Sequence, residues 1–74
     1  MNCLTSIKSG KKVVLMSIAG GRQAEMRLVE MGFLPGVLIQ VINNPGAGPL
    51  TVNIKGSKLA LGQGLARKLL VEED

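Results

Sequence analysis

Short apolar segments, separated by glycine and proline, run through the whole 74-residue chain. Four of them, residues 12–19, 37–43, 58–61 and 68–71, are rich in β-branched and other apolar side chains, and each predicts a strand. In residues 50–55 apolar and polar side chains alternate, which is the pattern of a strand with one buried face. The chain is therefore expected to form five short strands. The 37–43 strand has so little polar character that we expect both of its faces to be covered.

One segment, residues 22–31, consists instead of good helix formers. Ala24, Leu28 and Met31 recur at helical spacing and give this helix one narrow apolar face. Gly32 follows at the point where a helix end favours a residue with positive φ. A Pro-Gly pair three residues later stops the helix and turns the chain. This is the only convincing helix, because residues 62–66 indicate a loop or a single helical turn.

Two further apolar side chains of this helix, Met26 and Val29, lie away from its apolar face. They predict either a loop that covers them or an exposed contact surface. Glu25 and Glu30 are the only acids before the C-terminal end, and on a helix they diverge by about 140°. They cannot act as a facing carboxylate pair, so we expect them to be solvated or in salt bridges.

The Gly20-Gly21 pair between the first strand and the helix has two interpretations. A turn that requires glycine is the favoured one. The other is an anion site at the start of the helix, where backbone N–H groups are free. Neither glycine-rich phosphate-binding pattern is present, which weakens the second interpretation.

Five short strands and one helix are too few for two stacked sheets. They predict a small, strongly bent barrel of mainly β structure, with the helix inserted after the first strand and capping one opening. Leu4 and Ile7, in the N-terminal arm, are expected to cover the other side or the seam. A chain of this length forms one domain, residues 1–74.

The composition excludes several classes of function. There is no histidine, so imidazole bases, Ser–His and Cys–His nucleophile pairs and histidine metal sites are all ruled out. The single cysteine, Cys3, allows neither an internal disulfide nor a Cys-x-x-Cys motif. One aromatic residue is too few for a surface that stacks bases or binds proline-rich peptides. We therefore expect no enzymatic activity.

The charge is unevenly distributed along the chain. Nine basic residues face five acids, but three of the acids occupy the last three positions, so residues 1–71 carry a net charge of +7. A body this basic is typical of proteins attracted to nucleic acid, to an anionic membrane or to an acidic protein. Because the lysines are scattered along the sequence, simple solvation of an apolar small domain is the first interpretation.

The longest apolar run, residues 13–21, falls well short of the ~20 residues of a membrane span. It also starts late and is short for a signal peptide. The sequence therefore predicts a soluble, cytoplasmic protein.

The most specific pattern in the chain is RLVEMGFLPG, residues 27–36. A helix that ends Leu-x-x-Met-Gly, followed by an apolar residue, Pro-Gly and an apolar strand, resembles the FeoA family (ferrous iron transport protein A). Residues 4–10, 20–21, 48–50 and 59–61 agree with the family in the same order, so the resemblance covers nearly the whole chain. The motif residues expected to be structural are Leu28, Met31, Gly32, Pro35 and Gly36.

The resemblance implies an SH3-like barrel, as the pattern does. It also implies an accessory protein of bacterial ferrous iron uptake whose partner is the FeoB transporter, a membrane protein with a cytosolic GTP-binding domain. Such a protein would be cytoplasmic or recruited to the inner face of the membrane. Family members are described as binding transition metals. Without histidine, this chain offers iron(II) only scattered carboxylates, so we expect no metal site and no cofactor.

The partner surface is predicted where apolar residues exceed what one helix face can bury. These residues are Met26, Val29, Phe33 and Leu34. Stimulation of GTP hydrolysis, control of nucleotide release and assembly of the transporter are all compatible with docking there.

A second copy of the chain could pair with an open sheet edge. The alternative function is a small basic barrel that binds nucleic acid, favoured by the charge and opposed by the single aromatic residue.

Overall fold

Six strands form one continuous antiparallel sheet in the order β1-β6-β2-β3-β4-β5. The computed structural model describes the whole chain, residues 1–74. Its elements are β1 (Asn2–Cys3), a 3₁₀ turn (Leu4–Ser6), β2 (Lys12–Ile18), α1 (Arg22–Glu30), β3 (Leu38–Asn43), β4 (Leu50–Ile54), β5 (Ser57–Leu61), α2 (Gln63–Ala66) and β6 (Leu69–Glu73). This mainly β architecture with the helix inserted after the first long strand confirms the predicted fold class.

The sheet curls because two of its strands contain bulges. The register shifts between Leu15 and Ser17 in β2 and between Val41 and Asn43 in β3. An extra residue on one strand bends it and increases its twist. The sheet ends at β1 and β5, and the 3₁₀ turn beside β1 packs against α2, which follows β5. The barrel is thus closed by packing of the N-terminal arm and not by pairing of the two edge strands.

The core is entirely apolar. Fifteen residues are buried and none of them is polar or charged. Leu50, Val52 and Ile54 alternate inward along β4 as predicted, and Leu4 and Ile7 of the N-terminal arm are buried with them. Burial of apolar surface is therefore the main force that holds the strands around this core.

Two expectations about the strands were wrong. The two-residue strand β1, which pairs with Leu70 and Val71 of β6, carries no pattern of its own and was missed. In β3, Leu38 is 43% exposed and Ile42 is 37% exposed, so only one face of this strand is covered. No second layer lies over the outer face of a single curled sheet, and its apolar residues there remain in solvent.

The end of α1 shows why its sequence pattern is specific. Gly32 has φ +103°, and its N–H donates to the Val29 carbonyl at 2.9 Å. The Phe33 N–H donates to the Leu28 carbonyl at 2.9 Å, and both side chains are fully buried. These two bonds with their apolar contact are the Schellman arrangement. A Cβ at position 32 would lie 3.2 Å from Ile54 Cδ1, so space as well as φ favours glycine there.

The chain then turns into the sheet over residues 34–37. Gly36 has φ +93°, and the Val37 N–H donates to the Leu34 carbonyl at 3.0 Å. Proline followed by a glycine of positive φ is the signature of a type II turn. The Gly36 N–H also donates to the Leu15 carbonyl at 2.7 Å, which ties this turn to β2. The family-motif residues therefore fix the position of the helix end relative to the sheet.

Candidate partner-binding surface

Four residues were predicted to form a partner surface. In the structure three of them are exposed and one is buried. Met26 and Val29 of α1 are 56% and 39% exposed, and Leu34 in the following turn is 45% exposed. Phe33 is fully buried, so its assignment to the surface is wrong. The Schellman arrangement directs its ring into the core beside Leu28.

The exposure of Met26 and Val29 follows from how α1 packs. Leu28 is the only fully buried residue of the helix, and Ala24 is half-buried. Met26 is two residues before Leu28, which places it about 160° away around the helix axis. No loop covers that side, so the covering loop is excluded and both residues are exposed; that they form a contact surface stays a prediction.

Met26 and Val29 lie in one shallow depression on the solvent side of α1. Its other lining residues are Arg22, Glu25 and Glu30. The only ion pair of the chain joins Lys11 to Glu73 at 3.4 Å, so the charged groups around the depression are solvated. We call Met26 and Val29 the helix patch. An apolar centre with a charged rim is the usual anatomy of a protein interface. Leu34 does not line this depression.

The glycines before α1 form a turn. Gly20 has φ +103°, and a Cβ there would lie 2.9 Å from Cδ and Cε of Lys68. Position 20 requires glycine for its conformation, since the end of the Lys68 side chain could move aside, and this confirms the favoured interpretation of this pair. Gly21 is the N-cap residue of α1 in an extended conformation.

A second surface escaped the sequence analysis. On the outer face of the sheet, Lys12, Leu38, Gln40, Asn53 and Lys55 line a groove. The sequence carries only a scattered signal for it: Lys12 begins a strand, Gln40 is the one polar residue of positions 37–42, and Asn53 belongs to the alternating segment 50–55. It could not be assembled from the sequence because the pairing register brings these strands together.

The donor set does not fit a metal ion. No three cysteine, aspartate or glutamate side chains come together in a cluster. Cys3 is a half-buried free thiol. Carboxylates that stay apart cannot supply the several ligands that a transition metal needs. As for the membrane, neither helix has the length and apolar character needed to cross it.

Comparison with known proteins agrees with this fold and this motif. The family model of the FeoA domain matches residues 2–73. The chain belongs to the FeoA family. It is 41% identical over 70 residues to the "Putative Fe(2+) transport protein A" of Methanocaldococcus jannaschii, an alignment that covers 95% of this chain and 84% of that protein.

Two solved FeoA structures are also similar. The crystal structure of an iron uptake regulatory protein (FeoA) has a TM-score of 0.90 and 34% identity, covering 99% of this chain and 96% of that one. Stenotrophomonas maltophilia FeoA complexed with zinc, described as a prokaryotic SH3 domain protein, has a TM-score of 0.80 and 23% identity, covering 93% and 87%. The second comparison confirms the SH3-like fold of this FeoA-family chain.

Proposed function

We propose that this FeoA-family chain is a cytoplasmic accessory protein of ferrous iron uptake that docks on the cytosolic part of a FeoB transporter. The helix patch is the contact, and Leu34, exposed in the turn that follows the helix, is the third residue proposed to take part. One observation carries this proposal: Met26 is 56% exposed in a depression that charged residues line, although fifteen other residues form a fully apolar core. Docking would also bring the protein to the inner face of the membrane.

The chemistry of the chain favours an action through binding. It has no histidine, and no polar or charged side chain is buried in a site of its own. Complete burial of one methionine, leucine or valine side chain contributes about 1.5–3 kcal/mol. Because the patch residues are already part-buried, docking would gain roughly half of that at each position. Stimulating GTP hydrolysis, slowing nucleotide release and assembling the transporter are all compatible with such a contact.

Nucleic-acid binding is not favoured by the same structure. Phe33, the only aromatic residue, is fully buried and offers no face to a base. Sequence-tolerant binding of single strands relies on such stacking.

The proposal is tested by the affinity of the full chain for the FeoB of its own organism, solubilised in detergent. Val29→Asp should weaken binding at least tenfold, because a desolvated, unpaired carboxylate in an interface costs several kcal/mol. Ile42→Asp is the matched control. It makes the same change at a β-branched residue that is 37% exposed, against 39% for Val29, but lies in β3.

Thermal unfolding of both variants separates lost docking from lost folding. Equal melting temperatures together with a loss of binding only in Val29→Asp would support the helix patch. Wild-type affinity in both Val29→Asp and Met26→Asp would show that the transporter does not use this surface.

A further inference from the structure

A polar row crosses the outer face of four neighbouring strands. Lys12 of β2 pairs with Gln40 of β3, Gln40 pairs with Asn53 of β4, and Asn53 pairs with Lys58 of β5. Residues that are directly opposite in a sheet point to the same face. Three of the four are exposed and Asn53 is half-buried, so the row faces solvent.

A groove runs beside this row. Leu38, 43% exposed, is an apolar residue of its lining and pairs with Val14 of β2. Lys12 and Lys55 are its charged lining residues, and no acid lines it. We call the row and these lining residues, Lys12, Leu38, Gln40, Asn53, Lys55 and Lys58, the basic groove.

Two acids lie at the border of the basic groove, and neither forms an ion pair with its lysines. Glu72 lies across β2 from Leu38, since it pairs with Val14 from the other side. The Asp74 N–H donates to the Lys12 carbonyl at 3.2 Å, which places the C-terminus at the same border. The only ion pair of the chain uses Lys11, so none of the three lysines of the groove is held in an ion pair.

Lys55 gives independent support because its backbone is in an unfavourable conformation. It has φ +51° and is the only residue other than glycine with a positive φ. Lys55 and Gly56 form the two-residue connection between the paired Ile54 and Ser57. Asparagine, aspartate or glycine is preferred at the first position of such a turn. Backbone strain of this kind clusters at binding sites, and Lys55 is one of the residues that line the groove.

We propose that the basic groove binds an acidic peptide segment of a partner protein, with one apolar side chain of that segment seated against Leu38. Lysine ammonium groups and the amide NH₂ groups of Gln40 and Asn53 are donors, which match carboxylates. An apolar lining residue matches a peptide side chain but not a phosphate backbone. The basic groove shares no residue with the helix patch, so the two sites can fail independently.

The experiment follows NMR shifts of the ¹⁵N-labelled full chain during titration with a blocked Glu-Glu-Leu-Glu-Glu peptide. The largest shifts are expected at the amides of the basic groove. A peptide with glutamine in place of every glutamate should give no saturable shifts. Serine in place of the leucine should weaken binding about threefold or more, since less apolar area is buried.

Variants of the chain test the charges. Lys12→Gln and Lys58→Gln should each weaken the peptide's Kd about two- to fivefold, the range for one exposed charge pair. Lys8→Gln makes the same change at an exposed lysine outside the groove and should leave Kd unchanged. Val29→Asp, which tests the helix patch, should also leave it unchanged.

Lys55 allows a sharper test because two of its substitutions differ in their effect on the turn. Lys55→Asn should raise the melting temperature by about 3–6 °C, since asparagine tolerates the left-handed conformation, and should weaken peptide binding. Lys55→Gln should weaken binding without raising the melting temperature. A stability gain from Lys55→Asn with unchanged Kd would show that the lysine has no binding role there and would overturn the proposal.

Three other results would also overturn it. One is the absence of saturable shifts at 10 mM peptide. Another is an equal loss of affinity in Lys8→Gln. The third is stronger binding of an eight-nucleotide oligothymidylate to the same residues, with a log–log salt slope of about −2 for three single-strand phosphate contacts, which would identify a nucleic-acid site.

Discussion

Two neighbouring side chains after α1, Phe33 and Leu34, point in opposite directions. The Phe33 N–H bonds to the Leu28 carbonyl, and the ring enters the core. Leu34 begins the type II turn and stays 45% exposed. The positive φ of Gly32 decides which of the two is buried, because it reverses the chain between the helix and the turn.

This difference predicts contrasting costs of truncation. Phe33→Ala should lower the free energy of unfolding by about 3–5 kcal/mol, the range for removing a buried aromatic side chain. Leu34→Ala should lower it by less than about 1 kcal/mol, since much of this side chain already contacts water. Urea denaturation of the two variants measures both values. Similar costs would contradict the different environments of the two residues.

At the scale of elements, the loop between β3 and β4 holds the N-terminal arm against the barrel. The Asn44 side-chain amide donates to the Thr5 carbonyl at 3.0 Å and to the Ile7 carbonyl at 2.8 Å. Its Oδ1 accepts from the Gly46 N–H at 3.2 Å. One side chain therefore shapes its own turn and joins it to a segment more than thirty residues away. This attachment keeps Ile7 in the core.

Removal of that side chain should loosen the arm. Asn44→Ala should lower the free energy of unfolding by about 1–3 kcal/mol, because two part-buried carbonyls lose their donor. Asn43→Ala is the neighbouring control, at an exposed strand position. Denaturant unfolding gives the cost, and amide hydrogen exchange should show faster exchange of residues 2–7 only in Asn44→Ala. An unchanged exchange rate there would show that the loop does not hold the arm.

The whole molecule has an apolar interior and two surface regions with polar or charged residues around them, the helix patch and the basic groove. All fifteen buried residues are apolar, and the one ion pair joins groups that are 57% and 63% exposed. Exposed ion pairs of this kind contribute little to stability. Ion pairs therefore contribute little to the barrel, which is held by its apolar core and by the hydrogen bonds of the sheet and of Asn44.

The local pattern predicted most of this architecture. Some signals lie within a few neighbouring residues, so they can be seen in the sequence. They are the alternation in β4, the helical spacing around Leu28 and the glycine after Met31. The main strands, the helix and its end were therefore predicted well. Three features depend on contacts between distant segments. They are the burial of Phe33, the hydrogen bonds from Asn44 to the N-terminal arm, and the polar row from Lys12 to Lys58. Such contacts are set by the pairing register and by chain reversal, which a single sequence does not reveal.

The helix patch is the surface proposed to meet the transporter. Amide hydrogen exchange of the full chain, with and without saturating FeoB, shows whether it does. Binding at the helix patch should slow exchange in residues 22–34 and leave it unchanged in β3, whose outer face lies outside the contact. Binding that leaves residues 22–34 unprotected, or that protects β3 instead, would contradict it.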